Sequence, residues 1–569
     1  MHKITMLIPL FCLFIAVSTD AQLAQVQNDR CPSSDLLIHN TTIYTANDNH
    51  WQAEALAIKD GRFVFIGTDK EAENWFCGAA KAINLSGNYV YPGFTDSHQH
   101  LEGVGRRTRT LSLFGLPTLQ TTVEKIEQWA NRTKDGDWVL GRGWIEREWT
   151  DEKRFLRAAD VDTFTKNKPL FMPRADGVSA LVNSKALDLA GISKNTPDPE
   201  GGKYERYADG TPTGYILATA MQTFRDIIPP ETDQYIKENL RLGMIANSQM
   251  GWTYTHDAGM TLRELRLLEE LHKEEKMLQK VYVAVPIKEA KHLIQNMPYT
   301  TDDGLIKVNG VKVFIDGTLG SRGAALKQPY SDAPHNGFMN RTTKAELMPI
   351  LSQSLQTGWQ VMTHVIGDRA LSVTLDWYNE AWNNLPKDQW NKIELRWRLE
   401  HAQLIPPTEQ NRLVDMKVIP SMQPSHAIGD LNFAASRLGV ERLAHAYPWQ
   451  MLLDKGLKIV AGSDAPVEVG DPRIEFYAAI SRTRLDGSSE KDWHPELAVS
   501  RENALRMLTI WPAYAAFTET EQGSITLGKR ADLSIFDTDF MTAKKQNILK
   551  AKTKATIVNG VINYSNLED

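Results

Sequence analysis

The chain has 569 residues, of which 42% are hydrophobic and 24% charged. Its 64 Lys and Arg against 70 Asp and Glu give a formal charge of −6 and a pI near 6.2. No excess of positive charge is available to neutralise a phosphate backbone, so nucleic acid is not an expected partner. The length suits a large α/β barrel with an accessory domain.

Lys3 precedes an apolar run from Ile4 to Val17, after which the chain reads Ser18-Thr19-Asp20-Ala21 and turns polar at Gln22. A positive start, an apolar stretch of about 7–15 residues and a small residue before a polar one describe a secretory signal. Residues 1–21 are expected to be removed, leaving a secreted or periplasmic protein with no membrane association. A spanning anchor is the alternative, but it wants roughly 20 apolar residues, and this run is shorter and broken at Pro9. Cys31 and Cys77 then remain as an even pair for an oxidising compartment, where disulfides persist. A bridge between them is expected, the alternative being two buried thiols. Neither has a C-x-x-C partner that would support a redox or zinc-thiolate site.

Short strand-like runs with turn signals fill residues 33–90, with a bend at Asp60-Gly61, and return at residues 520–566, with a tight turn at Asn559-Gly560. Neither piece alone supplies enough strands to bury a face, so both termini are expected to build one accessory β-sandwich. Between them, residues 91–515 alternate apolar runs with helical patterns, which is the repetition of a parallel α/β sheet. Eight strand candidates occur at residues 90–95, 252–256, 280–285, 311–315, 359–363, 396–400, 418–422 and 458–462. Eight such strands close a (β/α)8 TIM barrel. About 150 residues separate the first two, far beyond an ordinary loop. A long insertion over the barrel mouth, at about residues 105–248, accounts for them.

The chemistry gathers at the ends of these strands. His98 and His100 follow the first strand, and residues two apart in extended chain project to one side. His364 ends the fifth strand, His401 the sixth and Asp464 the eighth. Side chains at that rim converge on the barrel mouth, and imidazole with carboxylate suits zinc or a similar divalent ion. Lys312 lies on the fourth strand, where a buried amine needs a partner: either Asp316 in a salt bridge, or conversion by carbon dioxide to a carboxylate that bridges two metals.

The run Pro92-Gly93-Phe94-Thr95-Asp96-Ser97-His98-Gln99-His100, together with His364, His401 and Asp464, resembles the amidohydrolase superfamily of metal-dependent hydrolases. FIDGTLGSRGAAL, HVIGDRA, RLEHAQ, SMQPSH and GSDAPVE are similar to its amidohydrolase 3 branch, which includes YtcJ-like proteins and N-substituted formamide deformylases. The resemblance implies a barrel with a composite β-sandwich and one or two divalent ions. It implies His98, His100, His364, His401 and Asp464 as ligands and Lys312 as the carboxylated bridge. Two positions depart from the branch, which usually has histidine where Val178 stands and often an acidic residue where Ala218 stands.

A divalent ion lowers the pKa of bound water from 15.7 to roughly 7 and polarises a carbonyl, and Asp464 is the candidate proton carrier. His426 and His256 are candidate pocket residues. Arg322 and Arg369 could orient an anionic substrate group, or else pair internally with Asp316 or Asp368. Glu400, beside His401 on a strand, reads as a packing or supporting residue. The expected activity is hydrolysis of a non-peptide C–N bond in a small-molecule amide, N-formyl compound or cyclic amide. A metal-holding binding or regulatory protein without turnover, and a deaminase or isomerase on the same scaffold, are the alternatives. A homo-oligomer is compatible with the sequence.

Overall fold

A computed structural model describes residues 32–567 apart from 176–177, 340, 385, 387–393 and 491. The expected signal segment and Cys31 lie outside the described residues. Cys77 is held in a disulfide. No helix among the described residues is long and apolar enough to cross a membrane.

Eight parallel strands follow one another in chain order around a barrel: β1 (Phe94–Gln99), β2 (Trp252–Ala258), β3 (Lys280–Pro286), β4 (Ile306–Phe314), β5 (Gln360–Val365), β6 (Arg398–His401), β7 (Ile419–Met422) and β8 (Val460–Ala461). Main-chain bonds from Asp464 N to His98 O, 2.6 Å, and from His100 N to Ala465 O, 2.9 Å, join the last strand's exit to the first strand. Outward-facing residues such as Val281, Val283, Val311, Val313 and Val361 share one large core with the surrounding helices, including Leu265, Leu268 and Leu371. Tyr254, Ala258, Tyr282, Ala284 and Met362 form a separate small cluster with Ala516. This apolar floor leaves the polar residues nearer the C-terminal strand ends.

The expected first strand proves to be two. Tyr89–Pro92 pairs antiparallel with Leu533–Phe536, and β1 starts only after Gly93. The continuous apolar run hid a change of sheet. That pairing builds the accessory domain from both termini: one four-stranded sheet from the N-terminal segment, and one six-stranded sheet that adds Leu533–Phe536, Thr553–Val558 and Val561–Ser565 to N-terminal strands. Their shared core includes Ile38, Ile43, Phe63, Val90, Leu533 and Ile557. Lys280, at the start of β3, forms a buried ion pair with Asp532 of the accessory domain.

The chain between β1 and β2 contains a six-stranded sheet running from Leu111–Ser112 through Val139–Arg142 and Leu170–Pro173 to Gly202–Arg206. Two helices fasten it to the barrel, Leu101–Thr108 directly after His100 and Asp233–Met250 directly before β2. They meet at glycines: a Cβ on Gly105 would lie 1.7 Å from Asn239 O, and one on Gly243 2.4 Å from Leu101 O. Only residues without side chains permit this approach.

Candidate metal centre at the barrel mouth

His98, His401 and Asp464 are buried and offer ligand atoms that all lie within 4.8 Å of one another. Local backbone geometry produces this convergence. The β1–β2 register slips between the pairs Thr255↔Asp96 and Asp257↔Gln99, which places one extra residue in β1 beside His98. On β6, strand alternation puts Arg398 and Glu400 on one face and would turn His401 away. His401 instead adopts a left-handed conformation, φ 68°, as does Asp464, φ 59°. Such conformations in non-glycine residues cost energy and gather at functional sites.

Each imidazole has its orientation fixed from behind. His98 Nδ1 bonds the Glu400 carboxylate. A carboxylate only accepts, so the proton sits on Nδ1 and the Nε2 lone pair faces the mouth, where Lys312 Nζ lies 3.2 Å away. His401 Nδ1 likewise donates to Gln423 Oε1 at 2.8 Å. His100 Nε2 lies 3.2 Å from Asp464 Oδ1, and His98 Nε2 3.7 Å from the same oxygen. His364 sits with its ring centroid 4.4 Å from that of His401, and His426 Nε2 lies 3.7 Å from Asp464 Oδ2. Neither ring nitrogen of His364 or His426 has a hydrogen-bond partner among the described residues, although all four atoms are buried.

The electrostatics suit a cation. Burial, with the Lys312 charge beside it, pushes His98 down to about 4 and His364 to about 3. Burial and the neighbouring His364 and His98 keep His401 well below its ordinary value. Burial alone would raise Asp464, but bonding to His100 and the nearby His98 and His401 hold it well below the usual carboxylate range. His98, His364 and His401 held neutral around an ionised Asp464, with orphaned buried nitrogens, make a donor set that fits a divalent ion, while His100, against its burial, is raised by Asp464. Lys312 is buried with Nζ 3.2 Å from His98 Nε2, and burial lowers its amine to about 8.

Residues 81–564 match the model of the Amidohydrolase family. The chain belongs to that family. Among relatives of this amidohydrolase, Protein LONG AFTER FAR-RED 3 of Arabidopsis thaliana is 30% identical over 93% of this chain and 91% of its own. The N-substituted formamide deformylase of Arthrobacter pascens is 27% identical over 93% and 98%. A crystal structure of an uncharacterized metal-dependent hydrolase from Pyrococcus horikoshii superposes with a TM-score of 0.73 at 25% identity, covering 90% of this chain and 99% of that one.

Several expected contacts of the amidohydrolase are different in the structure. Lys312 does not pair with Asp316, whose carboxylate accepts main-chain N–H groups from Ala325, Ile366 and Gly367 at 2.8–3.0 Å. Arg322 pairs with neither Asp316 nor a free site: it grips Asp332 through two bonds of 2.8 and 2.9 Å. Arg369 reaches the Gly337 carbonyl, while Asp368 accepts from Lys327 N. Arg322 is therefore engaged with its own chain, whereas Arg369 keeps a buried Nε without a hydrogen-bond partner among the described residues. His256 is fully buried, 3.0 Å from Arg398 and packed on Tyr254. The departures Val178 and Ala218 are joined, Ala218 N donating to Val178 O at 2.8 Å.

Sequence reading missed Gln423, Arg398 and Asp96. Arg398 forms an ion pair with Glu400 at 2.8 Å and donates to it at 3.2 Å, and Asp96 receives the main-chain N–H groups of His98 and Ser463. Arg398 and Asp96 each stand two residues before a site residue on a strand, so alternation carried a signal for both. Gln423 directly follows the seventh expected strand, so its place at the rim carried a signal too.

Proposed function

We propose that this amidohydrolase hydrolyses a non-peptide C–N bond of a small molecule, an amide, N-formyl compound or cyclic amide, giving a carboxylate and an amine. The observation that carries the reading is the buried convergence of His98, His401 and Asp464 at the C-terminal barrel rim, where TIM-barrel active sites lie. His98, His100, His364, His401 and Asp464 would hold zinc or a similar divalent ion, with Lys312, once carboxylated, available to bridge a second. Such an ion supplies Lewis acidity and a water ionised near neutral pH.

The chain's own groups do the rest. Asp464 is positioned to take a proton from the attacking water and return it to the leaving nitrogen. His426, with both nitrogens uncommitted, donates a hydrogen bond to the substrate oxygen. Glu400, Arg398 and Gln423 keep the imidazoles aimed. The disulfide at Cys77 supports export through the N-terminal segment to an oxidising compartment.

The test is Asp464→Asn, compared with wild type on a panel of N-formyl compounds, N-acyl amino acids and lactams. Loss of the general acid–base group predicts a fall in turnover of about 10²–10⁴-fold with fold and metal content retained. Unchanged turnover contradicts the mechanism. Metal retained with no turnover of any amide by the wild type favours a binding or regulatory role.

A further inference from the structure

One cavity of about 770 Å³ touches the candidate metal centre through His100, beside Asp257, and runs outward between the helix Leu101–Thr108, residues Val467–Val469 and the inserted sheet. A second cavity of about 460 Å³ continues it, sharing Arg106, Thr110, Phe114 and Arg142 and adding Arg174 and Arg225. The path from the reacting centre therefore leads along arginines contributed largely by the insertion.

Their charges are unequally compensated. Arg106 is neutralised by Glu102 and Glu231, and Arg174 by a two-bond pair with Glu146. Arg107 reaches only the main-chain carbonyls of Glu468 and Val469, each at 2.6 Å. Arg142 rests over the Phe114 ring at 5.5 Å, and Arg225 is exposed. Neither has a carboxylate partner among the described residues. Arg107 and Arg142 lie close enough that, after burial, the second cation helps to depress the first.

The carboxylates that line the first cavity do not offset them. Glu102 is held by Arg106 and by Asn239 at 2.7 Å, and Glu264 closes the capping box with Thr261. Asp257 already accepts the Leu101 main-chain N–H at 2.9 Å, and the Glu468 carboxylate lies 3.9 Å from His426 Nε2. Arg322 is paired with Asp332, and neither it nor Arg369 lines either cavity.

We infer that the cavity selects amide substrates bearing a carboxylate, with Arg142 as the specificity-determining residue, Phe114 packing on the intervening apolar part and Arg107 adding positive field. This rests on the amide-hydrolase reading and names its substrate class. A planar guanidinium matches a carboxylate with two parallel bonds, and Arg142 is the cavity's one arginine that is shared by both chambers and free to make them.

The experiment uses a pair of probes without a hydrolysable amide, 4-oxo-4-phenylbutanoate and its methyl ester, titrated calorimetrically into the metal-loaded protein. Wild type should bind the acid about 10- to 100-fold more tightly than the ester, the usual range for a hydrogen bond to a charged group. Raised salt should narrow the gap. Arg142→Ala should erase it, and Arg142→Lys, which keeps the charge but not the fork, should retain part. Equal binding by wild type, tighter binding of the ester, no measurable binding of the acid, or an undiminished gap in Arg142→Ala overturns the inference. Failure of the hydrolytic reading is seen separately, as absence of turnover of every amide alongside an intact acid preference.

Discussion

At the scale of single residues, the centre depends on groups that touch no substrate. Glu400 is the clearest: it sits fully buried between Arg398 at 2.8 Å and the His98 ring. Burial opposes its charge, yet Arg398 and His98 keep it ionised well below the usual carboxylate range. Replacing it with alanine strands a guanidinium in the barrel and frees the His98 ring to rotate. Glu400→Ala should lose about 3–5 kcal/mol of stability, the cost of breaking a buried ion pair, measured by urea unfolding of the metal-free protein. In Glu400→Gln, which keeps the shape, metal affinity should fall by about 10- to 100-fold, as for other groups behind a ligand. Metal affinity of Glu400→Gln equal to wild type would show that His98 needs no such support.

At the scale of elements, the ligand positions were legible because barrel strands announce themselves as apolar runs, and a polar residue at each run's end must face the mouth. His98, His364 and Asp464 could be placed by that logic. What alternation hides is local backbone. His401 follows the inward-facing Glu400 and reaches the mouth only through its left-handed turn, and the first run conceals a passage from sandwich to barrel at Gly93. Loop partners were equally illegible, so Arg322 found Asp332, and Asp316 was taken up by three main-chain donors. The helix pair Leu101–Thr108 and Asp233–Met250 shows how an element reaches the site, since its first residue follows His100. Gly105→Ala would drive a methyl group to 1.7 Å from Asn239 O and force the helices apart. A loss of about 1–3 kcal/mol, typical of overpacking, is expected in urea unfolding, with weakened metal loading because His100 moves. A variant as stable and as readily loaded as wild type would contradict this coupling.

At the scale of the whole molecule, three parts divide the work. The barrel supplies a rigid rim at which His98, His401 and Asp464 converge from three strands. The two chain ends form a sandwich tied to the opposite end of the barrel by the buried Lys280–Asp532 pair. The insertion walls the mouth and brings the uncompensated arginines. This division explains why composition and charge excluded some partners without naming a substrate: a net charge of −6 conceals a locally cationic cavity built from residues far apart in the chain.

The most direct test of the metal centre is X-ray absorption at the zinc edge on stoichiometrically loaded protein, wild type beside a His98→Ala/His401→Ala variant. The predicted result is an imidazole-rich shell with zinc–nitrogen distances of about 2.0–2.1 Å in the wild type, lost or strongly depleted in the variant. An all-oxygen shell in the wild type, or one unchanged by removing both histidines, would contradict it.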